Sequence, residues 1–309
     1  MLFSVVIPLY NKADTIERTI RSVWEQTYTS YELIVVNDGS TDGSLDVVNQ
    51  LSVEGPIIII DKPNGGVSSA RNAGARVASG EYIALLDGDD VWYPNHLTML
   101  SDAIAKHPNI KFFGTGYERF SGAYVYFTIP WGGYRVKDVY SAFRYGQPIN
   151  TSTVAVERDL WVKTGGFDER YSFYEDYDFF FRLGVRTKCC IVRKISCAYR
   201  DDAIESATKK RRAVSRRTRP HILALEKVLK ECRVIPGVDK YVSTYVKLAW
   251  AYMVLDKSNI EYEFLLKDCP NIAHIWRADS SLIGPKVQAS LIRLNYRIRN
   301  HFIIWRRAK

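Results

Sequence analysis

Three aspartates close together in the sequence are the clearest candidates for a functional site. Asp87, Asp89 and Asp90 directly follow a short apolar segment, residues 82–86, which is typical of a strand buried on both faces. Carboxylates this close repel one another unless a cation or positive side chains neutralise them. Mg²⁺ and Mn²⁺ prefer oxygen ligands, and Mg²⁺ often uses one or two carboxylates together with substrate phosphates. The cluster therefore indicates a metal site, although a solvated acidic turn is the alternative.

A second acidic pair, Glu175 and Asp176, precedes an apolar segment with helical spacing. Phe179, Phe180 and Leu183 would share one face of that helix and enter the core. The positive end of a helix favours ionised carboxylates in its first turn, and an ionised carboxylate at the edge of an apolar helix is a candidate general base. The alternative is that the pair only complements the charge of the helix end.

The elements that must position these groups alternate along the first 90 residues. Strands are predicted at 3–8, 33–36, 57–60 and 82–86, with amphipathic helices between them. This order predicts an α/β fold with a doubly wound, mostly parallel sheet, which binds ligands at the carboxyl ends of its strands. Residues 112–128 alternate in a way that favours antiparallel strands, and 151–156 reads as a further strand.

Other side chains are expected at the same edge of the sheet. Asp38 ends the second strand and can accept hydrogen bonds from a ligand, although such residues also serve as turns and helix caps. Gly65 and Gly66 stand at a helix entrance that could admit a phosphate, and Arg71 could bind an anion with its planar fork. An ordinary loop with a solvated arginine is the alternative. Because the glycine patterns of dinucleotide-binding and P-loop proteins are missing from the sequence, those classes are disfavoured.

Length, cysteine content and hydropathy predict a cytoplasmic protein. The five cysteines are odd in number and form no CxxC pair, which is typical of free thiols in a reducing compartment. No apolar run approaches the roughly 18 residues that a transmembrane helix needs. The first residues resemble a strand rather than a secretory signal.

The charge is unevenly distributed and divides the chain into two predicted regions. Residues 205–309 hold 22 Lys and Arg against 9 Asp and Glu, whereas residues 1–204 hold 21 against 25. We therefore predict a catalytic domain at 1–204 and a basic helical region at 205–309. Apolar residues at helical spacing between 287 and 305, interleaved with arginines, are typical of a helix that lies peripherally on the anionic inner face of a membrane. A helix packed on the catalytic domain is the alternative, and without a recognised motif no nucleic-acid partner is expected.

Five motifs in this order resemble the family 2 glycosyltransferases, which are inverting enzymes with the GT-A fold, here of the bacterial cell-surface polysaccharide type. They are VVIPLYN at 5–11, VNDGSTD at 36–42, ARNAG at 70–74, LDGDD at 86–90, and GGFD at 165–168 followed by ED at 175–176. Each motif is short, but the ordered set is specific, and the resemblance covers about residues 1–200. It implies a nucleotide-sugar donor, usually UDP-linked, and a saccharide or lipid-linked acceptor.

On the donor side, the resemblance implies that Asp38 binds the base of the nucleotide and that Pro8 lines the same pocket. It places Arg71 near the nucleotide and its phosphates, and Asp87 near the ribose.

At the reacting centre, the resemblance implies that Asp89 binds a divalent metal, Mn²⁺ or Mg²⁺, with Asp90 as a substitute ligand. It makes Asp176 the general base, with Glu175 as the alternate. Two other readings remain open. A non-catalytic nucleotide-sugar-binding module would not need Asp176, and a metal-dependent nucleotidyltransferase would leave the Glu175–Asp176 pair unexplained.

Overall fold

The structure is a computed structural model that describes residues 1–121, 124–127, 133–143, 147–171 and 175–200, together with Glu226 and Arg306–Arg307. The strands are β1 (Phe3–Leu9), β2 (Tyr31–Asp38), β3 (Ile58–Lys62), β4 (Tyr82–Leu85), β5 (Val91–Trp92), β6 (Phe112–Ser121), β7 (Tyr124–Phe127), β8 (Tyr134–Lys137), β9 (Val154–Glu157), β10 (Cys189–Arg200) and β11 (Arg306–Arg307). The helices are α1 (Ala13–Trp24), α2 (Ser44–Glu54), α3 (Val67–Val77), α4 (His96–Lys106), α5 (Val139–Phe143), α6 (Arg158–Thr164) and α7 (Glu175–Gly184).

Strands β1 to β4 form a continuous parallel segment of one mixed sheet. Their order is β3–β2–β1–β4, and each pair is parallel. Antiparallel β9 joins β4 to β6, and β10 then pairs in parallel with β6. The predicted α/β architecture is confirmed, and the carboxyl ends of β1, β2 and β4 meet at one edge, as the strand order requires.

Helices cover both faces of this sheet, so the parallel strands are buried on both sides. On one face, Val5 and Ile7 of β1 pack in a cluster with Ile16 and Ile20 of α1. On the other face lies a second cluster, which contains Val6 of β1 together with buried residues of α3, α5, α6 and α7. Adjacent residues of a strand point to opposite faces, which explains why these strands are continuously apolar in sequence.

Helix α3 packs unusually close to the sheet because of Gly74. A Cβ atom at this position would lie 2.4 Å from Cγ1 of Val6 and 3.2 Å from Cγ2 of Val36. Only glycine allows this approach without displacement of the strands. Because Arg71 lies one turn before Gly74, the close packing also brings Arg71 to the functional edge of the sheet.

The strand predicted at 151–156 differs from the structure at its start. Residues Thr151–Thr153 form a 3₁₀ turn, in which the backbone amide of Asn150 donates to Oγ1 of Thr153 at 3.0 Å, and β9 begins only at Val154. The amide of Thr153 donates to the carbonyl of Asn150 at 3.1 Å within the turn, so these β-branched residues do not extend the ladder. The turn carries Ser152 into the interior behind the aspartates.

Most of the predicted basic region, 205–309, lies outside the described residues. Glu226 is helical and buried. Arg306–Arg307 form β11 and pair antiparallel with β7, so the predicted C-terminal helix does not include these two residues. Among the described helices, none has both the length and the apolar character needed to span a membrane.

Candidate active site

The aspartates lie on a tight turn directly after β4. The turn is closed by the amide of Asp90, which donates to the carbonyl of Asp87 at 3.0 Å, and the amide of Leu86 donates to Val6 of β1 at 3.1 Å. Each of the three carboxylates has a different polar partner. Their mutual repulsion is therefore relieved within the protein itself, by two positive side chains and one buried hydrogen-bond network.

Asp90 is the buried member of the three. Its Oδ2 accepts a hydrogen bond from Oγ of Ser152 at 2.5 Å, and its Oδ1 accepts one from the backbone amide of Arg200 at 3.0 Å. Burial, with the nearby charges of Asp89 and Asp87, raises the pKa of Asp90 well above its usual range. Because both oxygens are engaged and the side chain is inaccessible, this position does not fit the substitute metal ligand predicted for Asp90. The residue supports the turn instead.

Asp89 is the aspartate best placed for a metal ion. Its side chain is 17% exposed, and its Oδ2 lies 2.5 Å from Nζ of Lys12, just before helix α1. Among the described residues, no group of three or more His, Cys, Asp and Glu side chains could hold a metal ion. A metal on Asp89 would therefore take most of its ligands from substrate phosphates and water, which is how Mg²⁺ is commonly bound. This hard, accessible oxygen donor fits such an ion.

Arg71 joins the two acidic groups. It donates from Nη2 to Oδ1 of Asp87 at 2.7 Å and from Nη1 to Oε1 of Glu175 at 3.0 Å. Only 3% of its side chain is exposed, and its guanidinium carbon lies 5.0 Å from the ring centre of Phe167. Burial lowers the pKa of Arg71, but the two carboxylates outweigh burial and keep the pKa above its usual value. Arg71 is therefore a fixed positive charge between Asp87 and Glu175, not a solvated side chain.

Asp176 lies beside this bridge in the first turn of α7. Its Oδ2 accepts from Nε2 of Gln147 at 2.7 Å and its Oδ1 from the amide of Tyr177 at 2.8 Å. Burial, followed by the charge of Glu175, raises the pKa of Asp176 to about 7. This carboxylate is thus less readily ionised than its place in the first helical turn predicts, because burial outweighs the hydrogen bonds and the charge of Arg71 that lower its pKa. A carboxylate that titrates near neutral pH is well matched to general base catalysis.

Asp38 is placed at the carboxyl end of β2, as predicted, but it is almost completely buried. Its oxygens accept from the amides of Gly65 at 2.9 Å and Gly66 at 2.8 Å, and it pairs with Nζ of Lys62. The carboxylate thus organises the loop that leads into α3, where Gly66 has a φ of 87°. Asp38 therefore stabilises a turn in this structure, which is the alternative to ligand binding that the sequence also allowed. Pro8 is buried near the end of β1.

Three residues of this site were not predicted from the sequence. Lys12 directly follows the VVIPLYN motif, so the need for a positive partner to the aspartates was a signal that could have found it. Gln147 and Ser152 carry no comparable signal. Gln147 reaches Asp176 from a loop and Ser152 reaches Asp90 from the 3₁₀ turn, and no motif marks either segment.

Comparisons with known proteins agree on the family. The sequence model described as Glycosyl transferase family 2 matches residues 4–158, about half of the chain, and a second, described as Glycosyltransferase like family 2, matches residues 139–247. The chain is 32% identical over 204 residues to a chondroitin synthase of Pasteurella multocida, which is 63% of this chain and 20% of the relative. It is 46% identical over 99 residues to an uncharacterized glycosyltransferase of Nostoc, which is 31% of each. The chain thus spans about a fifth to a third of the length of these relatives.

Solved structures share the fold at low sequence identity. S. aureus TarS 1–349, crystallised with UDP-GlcNAc, matches with a TM-score of 0.68 at 17% identity, over 89% of this chain and 78% of that one. The mannosyltransferase PcManGT of Pyrobaculum calidifontis, in complex with GDP-Man and Mn²⁺, matches with a TM-score of 0.58 at 18% identity, over 94% and 86%. With its ordered motifs and the matched residues 4–158, the chain belongs to the family 2 glycosyltransferases, and its fold is of the GT-A type.

Proposed function

We propose that the chain is an inverting glycosyltransferase, which moves a sugar from a UDP-linked donor to a hydroxyl group of a saccharide or lipid-linked acceptor. The observation that carries the proposal is the Arg71 bridge, since it unites the donor-side Asp87 and the base-side Glu175 in one site. The TarS complex with UDP-GlcNAc and the relatives that make chondroitin or hyaluronan support this choice of donor and acceptor. The proposal includes a role in surface polysaccharide or glycolipid synthesis, and the two synthase relatives support the polysaccharide alternative.

Donor binding is assigned to the edge formed by β1, β2 and β4. Asp87 remains 26% exposed while Arg71 holds one of its oxygens, so it can contact the ribose in a fixed orientation. Asp38 and Pro8 shape the floor beneath the nucleotide base. Arg71 acts on the donor through Asp87 in this proposal, because its own side chain is buried.

The metal, Mn²⁺ or Mg²⁺, is assigned to Asp89. When bound, it supplies positive charge that stabilises the diphosphate leaving group as the bond to the sugar breaks. The partial exposure of Asp89 and its place at the edge of the sheet support this role, and the PcManGT complex holds Mn²⁺ with its donor.

The general base is assigned to Asp176. The acceptor hydroxyl attacks the anomeric carbon from the face opposite the diphosphate and loses its proton, which a carboxylate oxygen of Asp176 accepts. Gln147 orients this carboxylate through its hydrogen bond to Oδ2. Glu175, which is paired with Arg71, raises the pKa of Asp176 through its negative charge and is the alternate base.

A donor screen tests the proposal against its two alternatives. The chain is incubated with UDP-, GDP- and dTDP-sugars and with Mn²⁺ or Mg²⁺, and released nucleoside diphosphate is measured. We expect release from a UDP-sugar, loss of release in Asp89→Asn and in excess chelator, and no loss in Asp159→Asn, which changes an exposed aspartate of α6.

Two other outcomes would replace the proposal. Release of pyrophosphate from a nucleoside triphosphate would identify a nucleotidyltransferase. Protection against melting by a nucleotide sugar, without any turnover, would identify a binding module.

A cytoplasmic location with peripheral contact to an anionic membrane completes the proposal. It rests on the excess of Lys and Arg in residues 205–309, which would be attracted to acidic lipids.

A further inference from the structure

We propose that Lys12 is a built-in counter-cation that competes with the divalent metal for Asp89, so that the metal binds tightly only together with the diphosphate of the donor. This inference rests on the metal role proposed for Asp89 and adds an order to the binding events. It concerns a residue that no motif of the sequence singled out.

The ion pair between Lys12 and Asp89 is held from both sides. The backbone amide of Lys12 donates to Oγ of Ser44 at 2.7 Å, and its carbonyl accepts from the amide of Ile16 at 2.9 Å in the first turn of α1. The carbonyl of Asp89 accepts from Nη2 of Arg18 at 3.0 Å. The two side chains are 22% and 17% exposed. Because the backbones of Lys12 and Asp89 are both held by hydrogen bonds, the fold itself places the ammonium group beside the carboxylate.

The negative charges around the turn are already partly neutralised in this state. Arg71 neutralises part of the charge on Asp87 and Glu175, and Lys12 neutralises Asp89. A divalent cation that arrives alone must displace the ammonium group or bind beside it, and like charges repel at such distances. The affinity of the site for a metal ion without nucleotide is therefore low in this proposal.

A diphosphate changes this balance. It brings negative charge and several oxygen ligands to the metal, and it offers the released ammonium group of Lys12 a new partner. Metal and nucleotide would then bind cooperatively, and each would strengthen the binding of the other by the same factor. Lys12 sets the size of that factor, because it weakens only the binding of metal without nucleotide.

The test is a titration with Mn²⁺, in which electron paramagnetic resonance reports the free ion, with and without UDP. Intact chain, Lys12→Met, Lys12→Arg and Lys111→Met are compared. Lys111 is a matched control because it also forms an ion pair with a carboxylate, that of Glu157, at 2.6 Å. Glu157 pairs with the first residue of β4, so this ion pair lies at the end of the strand opposite the aspartates. The readout is metal affinity, so no acceptor and no turnover are needed.

We expect UDP to tighten Mn²⁺ binding to the intact chain by about tenfold or more, within the range usual for coupled sites. Lys12→Met should bind Mn²⁺ more tightly than the intact chain when UDP is absent, and its coupling to UDP should shrink. Lys12→Arg keeps the positive charge and should retain most of the coupling, and Lys111→Met should match the intact chain.

Equal Mn²⁺ affinity of Lys12→Met and the intact chain without UDP would overturn the inference and leave the metal role of Asp89 standing. If no variant binds Mn²⁺ even with UDP, the proposed metal role falls as well. UDP binding that needs Lys12 but no metal would also overturn the inference, since Lys12 would then replace the metal instead of competing with it.

Discussion

Replacement of Arg71 by methionine separates the electrostatic role of this residue from its structural role. The change removes the charge that Asp87 and Glu175 share, while an unbranched apolar side chain still fills the space beside Phe167. The charge of Arg71 lowers the pKa of Asp176, although burial and Glu175 raise it to about 7 overall. Without Arg71 the pKa of Asp176 must rise further. We therefore expect the pH midpoint of the transfer rate to move upward from about 7.

The groups that set this midpoint come from several elements. Glu175 lies on the same helix as Asp176, and Arg71 faces Asp176 from α3. Gln147 donates to Asp176 from the loop between α5 and the 3₁₀ turn. Tyr117 of β6 is also close enough to interact with its charge. Of these groups, Arg71 contributes the positive charge, so we expect its removal to raise the pKa of Asp176.

The stability effect follows from the burial of the three partners. Removal of one partner from a buried ion pair costs about 3–5 kcal/mol. Because Asp87 is 26% and Glu175 15% exposed, both carboxylates can recover some hydration, and we expect a loss of about 2–3 kcal/mol in the free energy of unfolding. Urea unfolding measures this loss, and Arg71→Lys, which keeps the charge without the fork, provides a milder variant should the methionine variant not fold.

Arg182→Met is the matched control for this experiment. Arg182 is also buried and forms a two-nitrogen pair with Asp178, at 2.8 Å and 2.6 Å, within the same helix α7. Its loss should destabilise the fold at least as much as that of Arg71, because Asp178 is fully buried, but without a change in the pH midpoint. An unchanged midpoint in Arg71→Met, or an equal shift in both variants, would refute the electrostatic link between Arg71 and Asp176.

The remaining predictions concern the base and the basic region. Asp176→Asn should transfer sugar roughly 10²–10⁴-fold more slowly while donor binding, followed by calorimetry, stays nearly normal, and Glu175→Gln should do less harm; the reverse ranking would make Glu175 the base. In the intact chain the transfer rate should fall as the pH drops below about 7, because Asp176 then holds a proton, whereas a rate that is flat between pH 5 and 8 would contradict this assignment. Deletion of residues 287–309 should weaken sedimentation with anionic liposomes at low salt, unless those residues pack on the catalytic domain and leave liposome binding unchanged.

Much of the architecture was predictable because buried segments have recognisable patterns of apolar residues in the sequence. The apolar segments of β1, β2 and β4 follow from local pattern alone. The same holds for Phe179, Phe180 and Leu183, which are fully buried as their helical spacing predicts.

Side-chain partners were not predictable, because they depend on contacts between distant segments. Arg71 was predicted to bind an anion, with a solvated side chain as the alternative, and neither prediction named its carboxylate partners. These lie 16 and 104 residues away, and only the folded sheet brings them together. Asp90 has the same residue type and nearly the same position as Asp89, but it points inward. No local pattern distinguishes the two, and the raised pKa of Asp176 likewise comes from desolvation that spacing does not reveal.

The network around Asp90 also determines the order in which the site can be assembled. The two partners of this carboxylate come from residues 62 and 110 positions later in the chain. During synthesis, the strands up to β4 can pair before either partner has left the ribosome, so the aspartate turn must wait for Ser152 and then for the end of β10. A fragment cut at residue 158, where the family match ends, would contain all three aspartates but neither the last contact of Asp90 nor helix α7. Any fragment that forms the complete site must therefore extend at least from β1 to Arg200.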